Sequence, residues 1–215
     1  MSSADVSDAL VGAVRDAVAE GELDVAVPEV ALVFSRGAGV FESPVALRLG
    51  VDPWVIARRV GGCVRGGFVR VVVGAEEVVE GVLRGVLGDV SVSGGWAEWP
   101  RTFENPGFSV RYAYARACWT GRWAGELGVE RGAVGGPEEL ALVGVLGDVR
   151  GRALQAERER DARPLMFCLE KVAGAYHDVH ERRPLEGGRV GLAEAVKVVL
   201  GDGLKMFGET PRERI

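Results

Sequence analysis

From Ala4 to Glu20 the apolar residues Val6, Leu10, Ala13, Val14, Ala17 and Val18 recur at helical spacing until Gly21 breaks the pattern. The spacing predicts a first helix over 4–20. Glu29 to Phe34 is short, apolar and β-branched, which predicts a strand, and the glycines of SRGAGV predict a loop after it. Ser43-Pro44 and Asp52-Pro53 each have the form of a cap followed by a first-turn proline, predicting two short helices over VALRLG and WVIARRVGG. GGFVRVVVG reads as a glycine-flanked strand. AEEVVEGVLRGVLGD reads as an amphipathic helix whose early acids suit its N-terminal dipole.

Beyond Asn105 the strand signals stop. Helical patterns cover about 105–127, 138–160, 164–181 and 188–207, separated by ERGAVGGPEE, ARP and RPLEGGR. The expected fold class is therefore α+β: a small α/β domain over 1–90, a connector over 91–102, and an all-α bundle over 103–215. The connector carries Trp96 and Trp99, so it is expected to dock on a domain instead of swinging free.

Composition narrows the function. A hydrophobic content of 47% is ample for real cores. The net charge is −5, but residues 1–100 hold 8 basic and 14 acidic groups, against 18 and 17 in 101–215, so a polyanion would prefer the second half. Neither half is basic enough for strong nonspecific binding of duplex DNA; any nucleic-acid contact needs a local basic patch. The N-terminus lacks a secretory pattern and no apolar run reaches membrane-spanning length, so a cytoplasmic chain with no membrane contact is expected. Cys63, Cys118 and Cys168 form no CxxC pair and are expected to be small buried residues in a reducing compartment.

Candidate chemistry is sparse. His177 and His180 stand three apart in AYHDVHERR, yet zinc needs further ligands and none is near in sequence, so a partly exposed helix face is expected instead of a metal site. GGCVRGG and SGG fit neither a P-loop nor GxGxxG and read as turns. No cofactor or metal is expected. The richest segment is Asn105 to Arg116, NPGFSVRYAYAR. Asn-Pro suits a cap and first turn, and Ser109, Tyr112 and Arg116 then share one helical face. A ring four residues from a guanidinium makes a platform for an unstacked base.

This segment resembles the opening of the DALR anticodon-binding domain of arginyl-tRNA synthetases, usually close to NPVYYVQYAHAR. RERDARPLMFCLEKVAGAYHDVH and the ending RVGLAEAVKVVLGDGLKMFGETPRERI resemble later segments of that domain, so the likeness runs over about 103–215 in order. More weakly, VPEVALVFSRGAGVFESPVALRLG and RGGFVRVVVGAEEVVEGVL resemble the additional N-terminal domain of bacterial arginyl-tRNA synthetases, which contacts the D-loop corner of tRNA. Nothing resembles the ATP- and arginine-binding core that separates these regions in the synthetases.

The resemblance implies a non-catalytic protein that recognises the anticodon loop, with arginine tRNA the expected partner. It implies that Tyr112 stacks on a loop base, that Arg111 and Arg116 meet phosphate or base edges, and that Arg214 and Ile215 close the pocket. Ser109 stands where the family has an aromatic, Arg111 where it has Gln, and Tyr114 where it has His. In the N-terminal domain Phe68 and Arg70 replace the D-loop-reading tyrosine and asparagine, leaving Arg70 a phosphate contact. The alternative is an interaction or regulatory module that has lost tRNA binding and pairs with a synthetase or another protein.

Overall fold

The computed structural model describes residues 1–85, 87, 94–182 and 185–215. The expected boundary between residues 90 and 91, with connector residues 91–93, lies outside the described residues.

The first helix, α1 (Ser3–Ala19), starts at Ser2, whose hydroxyl accepts from the Asp5 amide while the Asp5 carboxylate accepts from the Ser2 amide. Each group satisfies one donor that the first turn leaves free. Four strands follow: β1 (Phe34–Ser35), β2 (Val40–Ser43), β3 (Cys63–Arg65) and β4 (Phe68–Val72). They form one antiparallel sheet in the order β1-β2-β4-β3. Between β2 and β3 lie α2 (Val45–Leu49) and α3 (Pro53–Ala57), the latter capped by the Asp52 carboxylate on the Trp54 amide.

The strand expected over 29–34 is corrected: only Phe34 of it is paired, and the principal partner of β4 is β2, in residues that read as loop and cap. Strand signals need a partner to become strands. Within β4, Val69 and Val71 point into the core while Arg70 points out opposite Glu42, the register of an antiparallel pair. Cys63 is a second correction: it lies on the edge strand and is exposed, whereas Cys118 and Cys168 are buried.

After β4 come α4 (Ala75–Leu83) and the bundle of α5 (Pro106–Leu127), α6 (Pro137–Glu159), α7 (Arg163–Arg182) and α8 (Gly187–Met206). Asn105 caps α5 by accepting from the Gly107 amide at 3.0 Å, and its amide donates to the Ala97 and Pro100 carbonyls. One side chain thus starts the helix and ties the connector to it. Trp96 docks beside it, donating to Glu170 at 2.7 Å and meeting Phe207 edge-on; Trp99 stays exposed.

The halves meet far beyond the connector. Gly144, Gly147 and Gly151 on α6 form a smooth stripe against the N-terminal half. An added Cβ at Gly144 would lie 2.7 Å from the Cα of Gly37, one at Gly147 3.1 Å from the Phe41 ring, and one at Gly151 2.5 Å from Ser3 Oγ. Ser35 donates to the Gly144 carbonyl and Arg150 pairs with Asp5 across the same seam. Leu10, Val14, Phe41, Val78 and Val82 join Leu142, Leu146, Leu192 and Val196 in one continuous apolar core. Among the described residues no helix is long and apolar enough to cross a membrane.

Candidate nucleic-acid interface

The helical face expected over Ser109, Tyr112 and Arg116 is present, and it converges on a residue of α7. His177 Nε2 lies 3.2 Å from Ser109 Oγ and 3.3 Å from the Ser109 carbonyl, and its Nδ1 lies 3.4 Å from Arg116. These partners assign the neutral tautomer, with Nε2–H donating to the carbonyl and Nδ1 accepting from the guanidinium. Burial first, and then the Arg116 charge, push the His177 pKa below its usual value. One turn along α7, His180 is held at about 4 by burial, Arg116, Arg189 and His177, with Nδ1 2.8 Å from Arg189. Both imidazoles are therefore neutral near pH 7, which suits a pocket that already holds guanidinium groups.

Tyr112 is heavily furnished with neighbours. The Arg116 guanidinium lies 4.8 Å from its ring centroid and donates to its hydroxyl at 3.3 Å. Phe108 stacks near it at 5.8 Å, and Phe103 meets it edge-on at 5.2 Å. Between α5 and α7, Tyr176 is fully buried, hydrogen-bonded to Thr120 at 3.0 Å, and its phenol is pushed up to about 12 mainly by burial.

From Tyr112 a groove of about 600 Å³ runs along α5 past Arg116, Trp119 and Trp123, with Arg214 and Ile215 of the terminal segment on its other wall. Trp119 donates to the Glu213 carbonyl at 3.1 Å, Arg122 pairs with the Glu213 carboxylate, and the Arg122 and Arg214 guanidiniums lie 4.9 and 5.8 Å from the Trp119 ring centroid. Tyr112, Arg116, Arg214 and Ile215 therefore share one site.

Two expected residues do not join them as free cations. Arg111 turns to the other side of α5, where its guanidinium grips both Glu209 oxygens at 2.7 Å and donates to the Ala97 carbonyl at 3.3 Å. Arg70 is held on the sheet by Glu42, at 2.9 Å, together with Arg36. Sequence reasoning also passed over other residues of the site, among them Phe103, Phe108, Trp119, Trp123 and His177. ARACWTGRW carried a legible signal, two tryptophans one helical turn apart among arginines. The role of His177, set aside as a helix face, depends on the packing of α7 against α5 and has no local signature.

The fold and this site are those of an α+β protein with a helical bundle that presents an arginine- and aromatic-lined groove. No family model matches the chain. Over about half of its length the chain is related to arginine–tRNA ligases. It is 33% identical over 131 residues to the arginine–tRNA ligase of Clavibacter sepedonicus, covering 54% of this chain and 24% of the ligase. It is 30% identical over 130 residues to that of Nitratidesulfovibrio vulgaris (strain DP4), covering 53% and 24%. It is 32% identical over 123 residues to that of Nitrosomonas europaea, covering 51% and 21%. The matches thus span about a quarter or less of these relatives' length. Among solved structures, Thermus thermophilus arginyl-tRNA synthetase matches with a TM-score of 0.46 and 20% identity, over 67% of this chain and 32% of that one.

Proposed function

We propose that this chain binds tRNA at the anticodon loop without catalysing aminoacylation, in the cytoplasm, with arginine tRNA as its ligand. The observation that carries the reading is the Arg116 guanidinium set on Tyr112 at the head of a groove walled by Arg214 and Ile215. Cations beside aromatic rings suit the phosphates and splayed bases of loop RNA. The relatives, which are arginine–tRNA ligases, support the choice of tRNA. Lack of catalysis is supported by the sequence, in which the two regions of resemblance are joined by the connector 91–102 with nothing resembling an ATP- and arginine-binding core between them. The division into 1–90, 91–102 and 103–215 is part of the same proposal, as two tRNA-facing units and their junction.

A gel-shift series with total tRNA at low salt, run beside arginine-dependent pyrophosphate exchange, tests it. Retarded tRNA with no exchange is the expected result. Exchange that is lost on mutating this chain, or no retardation of any tRNA, overturns it.

A second reading, an interaction or regulatory module, is favoured by one observation. Arg70 and Arg111, both assigned to RNA by resemblance, are occupied by Glu42 and Glu209. Under that reading the chain binds a synthetase or another protein with no RNA present.

A further inference from the structure

We propose that Trp123, backed by Trp119, is a second base-stacking platform, so that the groove takes at least two consecutive unpaired nucleotides instead of one. This rests on the tRNA reading above and extends it to a footprint and to residues that reading does not use.

Tyr112 lines the groove but is only partly exposed. Phe108, Phe103 and Arg116 already lie against it, so a base at that end must add to the stack beyond Arg116. Trp123 differs: it is 45% exposed and lines the same groove, with Trp119 beside it at 6.2 Å between ring centroids, the two rings tilted by 43°. Trp119 is immobilised by its N–H on the Glu213 carbonyl and by the Arg122 and Arg214 guanidiniums, so Trp123 stands on a fixed support. A large exposed ring with a fixed backing loses little entropy on stacking.

Spacing sets the kind of strand that fits. At about 1.5 Å per residue, Trp119 and Trp123 lie roughly 10 and 16 Å beyond Tyr112 along the helix axis. Neighbouring bases in a regular stack are only about 3.4 Å apart, so two adjacent stacked bases cannot sit on both platforms. A splayed single strand does, with its bases separated on different rings and its phosphates running between them. The charges along the groove suit that backbone: Arg116 and Arg214 line it, and Arg122 is paired with the carboxylate of Glu213, which also lines it. His180, neutral at pH 7, adds no charge at the midpoint.

The test uses the full chain, in vitro transcribed arginine tRNA, and the variants Trp123→Ala and Trp123→Phe. Circular dichroism serves as the folding control, which a half-exposed side chain should pass. Loss of one stacked base weakens binding by roughly five- to hundredfold in Trp123→Ala, and Phe restores most of it. Hydroxyl-radical footprinting on the anticodon loop is expected to protect two or more adjacent nucleotides with the parent and fewer with Trp123→Ala. If the parent binds with a multi-nucleotide footprint but Trp123→Ala binds within twofold of it with the same footprint, the second platform is wrong and the tRNA reading stands. If the parent binds no tRNA at low salt, both fall together.

Discussion

Arg111 in the first turns of α5 and Glu209 in the terminal segment form a two-pronged ion pair, with both contacts at 2.7 Å and both side chains largely sheltered from water. Parallel N–H to carboxylate bonds of this kind fix direction as well as distance. The pair leads residues 209–215 back over α5, where Glu213, Arg214 and Ile215 complete the groove. It is also the reason that one expected RNA contact is not available as a free charge. Arg111 builds the site from behind.

Arg111→Ala is accordingly expected to release the terminal segment. Trypsin should cleave at Arg212 and Arg214 faster than in the parent, read by mass spectrometry. A double-mutant cycle with Glu209→Ala should give a coupling of about 1 kcal/mol in stability. An unchanged cleavage rate would show that the pair does not hold the segment.

Arg116 and Tyr112 should behave differently from Arg111. Arg116→Ala is expected to weaken tRNA binding and to reduce the slope of log affinity against log salt by about one, because one phosphate contact is lost. Tyr112→Ala is expected to weaken binding by roughly 1–3 kcal/mol. Titrations at several salt concentrations read both, after circular dichroism has excluded unfolding. Parental affinity in both variants would remove this face of α5 from the interface.

Two helical glycines, one in the seam and one outside it, are expected to respond to alanine with opposite signs. In Gly144→Ala the new methyl must enter backbone space at Gly37, so a loss of about 1–3 kcal/mol is expected despite a helix-propensity gain of up to about 1 kcal/mol. Gly174 on α7 is exposed with nothing near its missing Cβ, and Gly174→Ala is expected to stabilise by about 0.5–1 kcal/mol. Urea denaturation measures both, and a stabilised Gly144→Ala would mean that the halves do not pack as described.

His180 makes stability depend on pH. Its pKa is about 4 in the folded chain, lowered by burial and by Arg116, Arg189 and His177, against about 6.5 unfolded. A depressed histidine means that the unfolded chain takes up the proton first, so stability is full above about pH 6.5 and falls as pH drops towards 4. His177 is shifted in the same direction and adds to the effect. Thermal unfolding at pH 7 and pH 5 should show a drop in Tm that is smaller in His180→Gln, and equal drops in parent and variant would refute the assignment.

Much of this molecule is decided locally and was therefore legible in the sequence. The helices expected at 4–20, 105–127, 138–160, 164–181 and 188–207 occur as Ser3–Ala19, Pro106–Leu127, Pro137–Glu159, Arg163–Arg182 and Gly187–Met206. A helix is closed by bonds within its own segment, and residues such as Asn105-Pro106 and Gly128 state its ends. The shared face of Ser109, Tyr112 and Arg116 follows from the same 3.6-residue period.

What only the tertiary structure decided lies across long separations. The strand at Val40–Ser43 exists because β4 lies beside it, and Arg70 is occupied because that pairing sets Glu42 opposite. His177 enters the site because α7 packs on α5, and Arg111 leaves it because Glu209 returns 98 residues later. A side chain's charge and ring are written in the sequence, but whether they face a ligand or another residue depends on which distant segment packs beside them. That is set by burial of the common core, to which no single segment's pattern gives the answer.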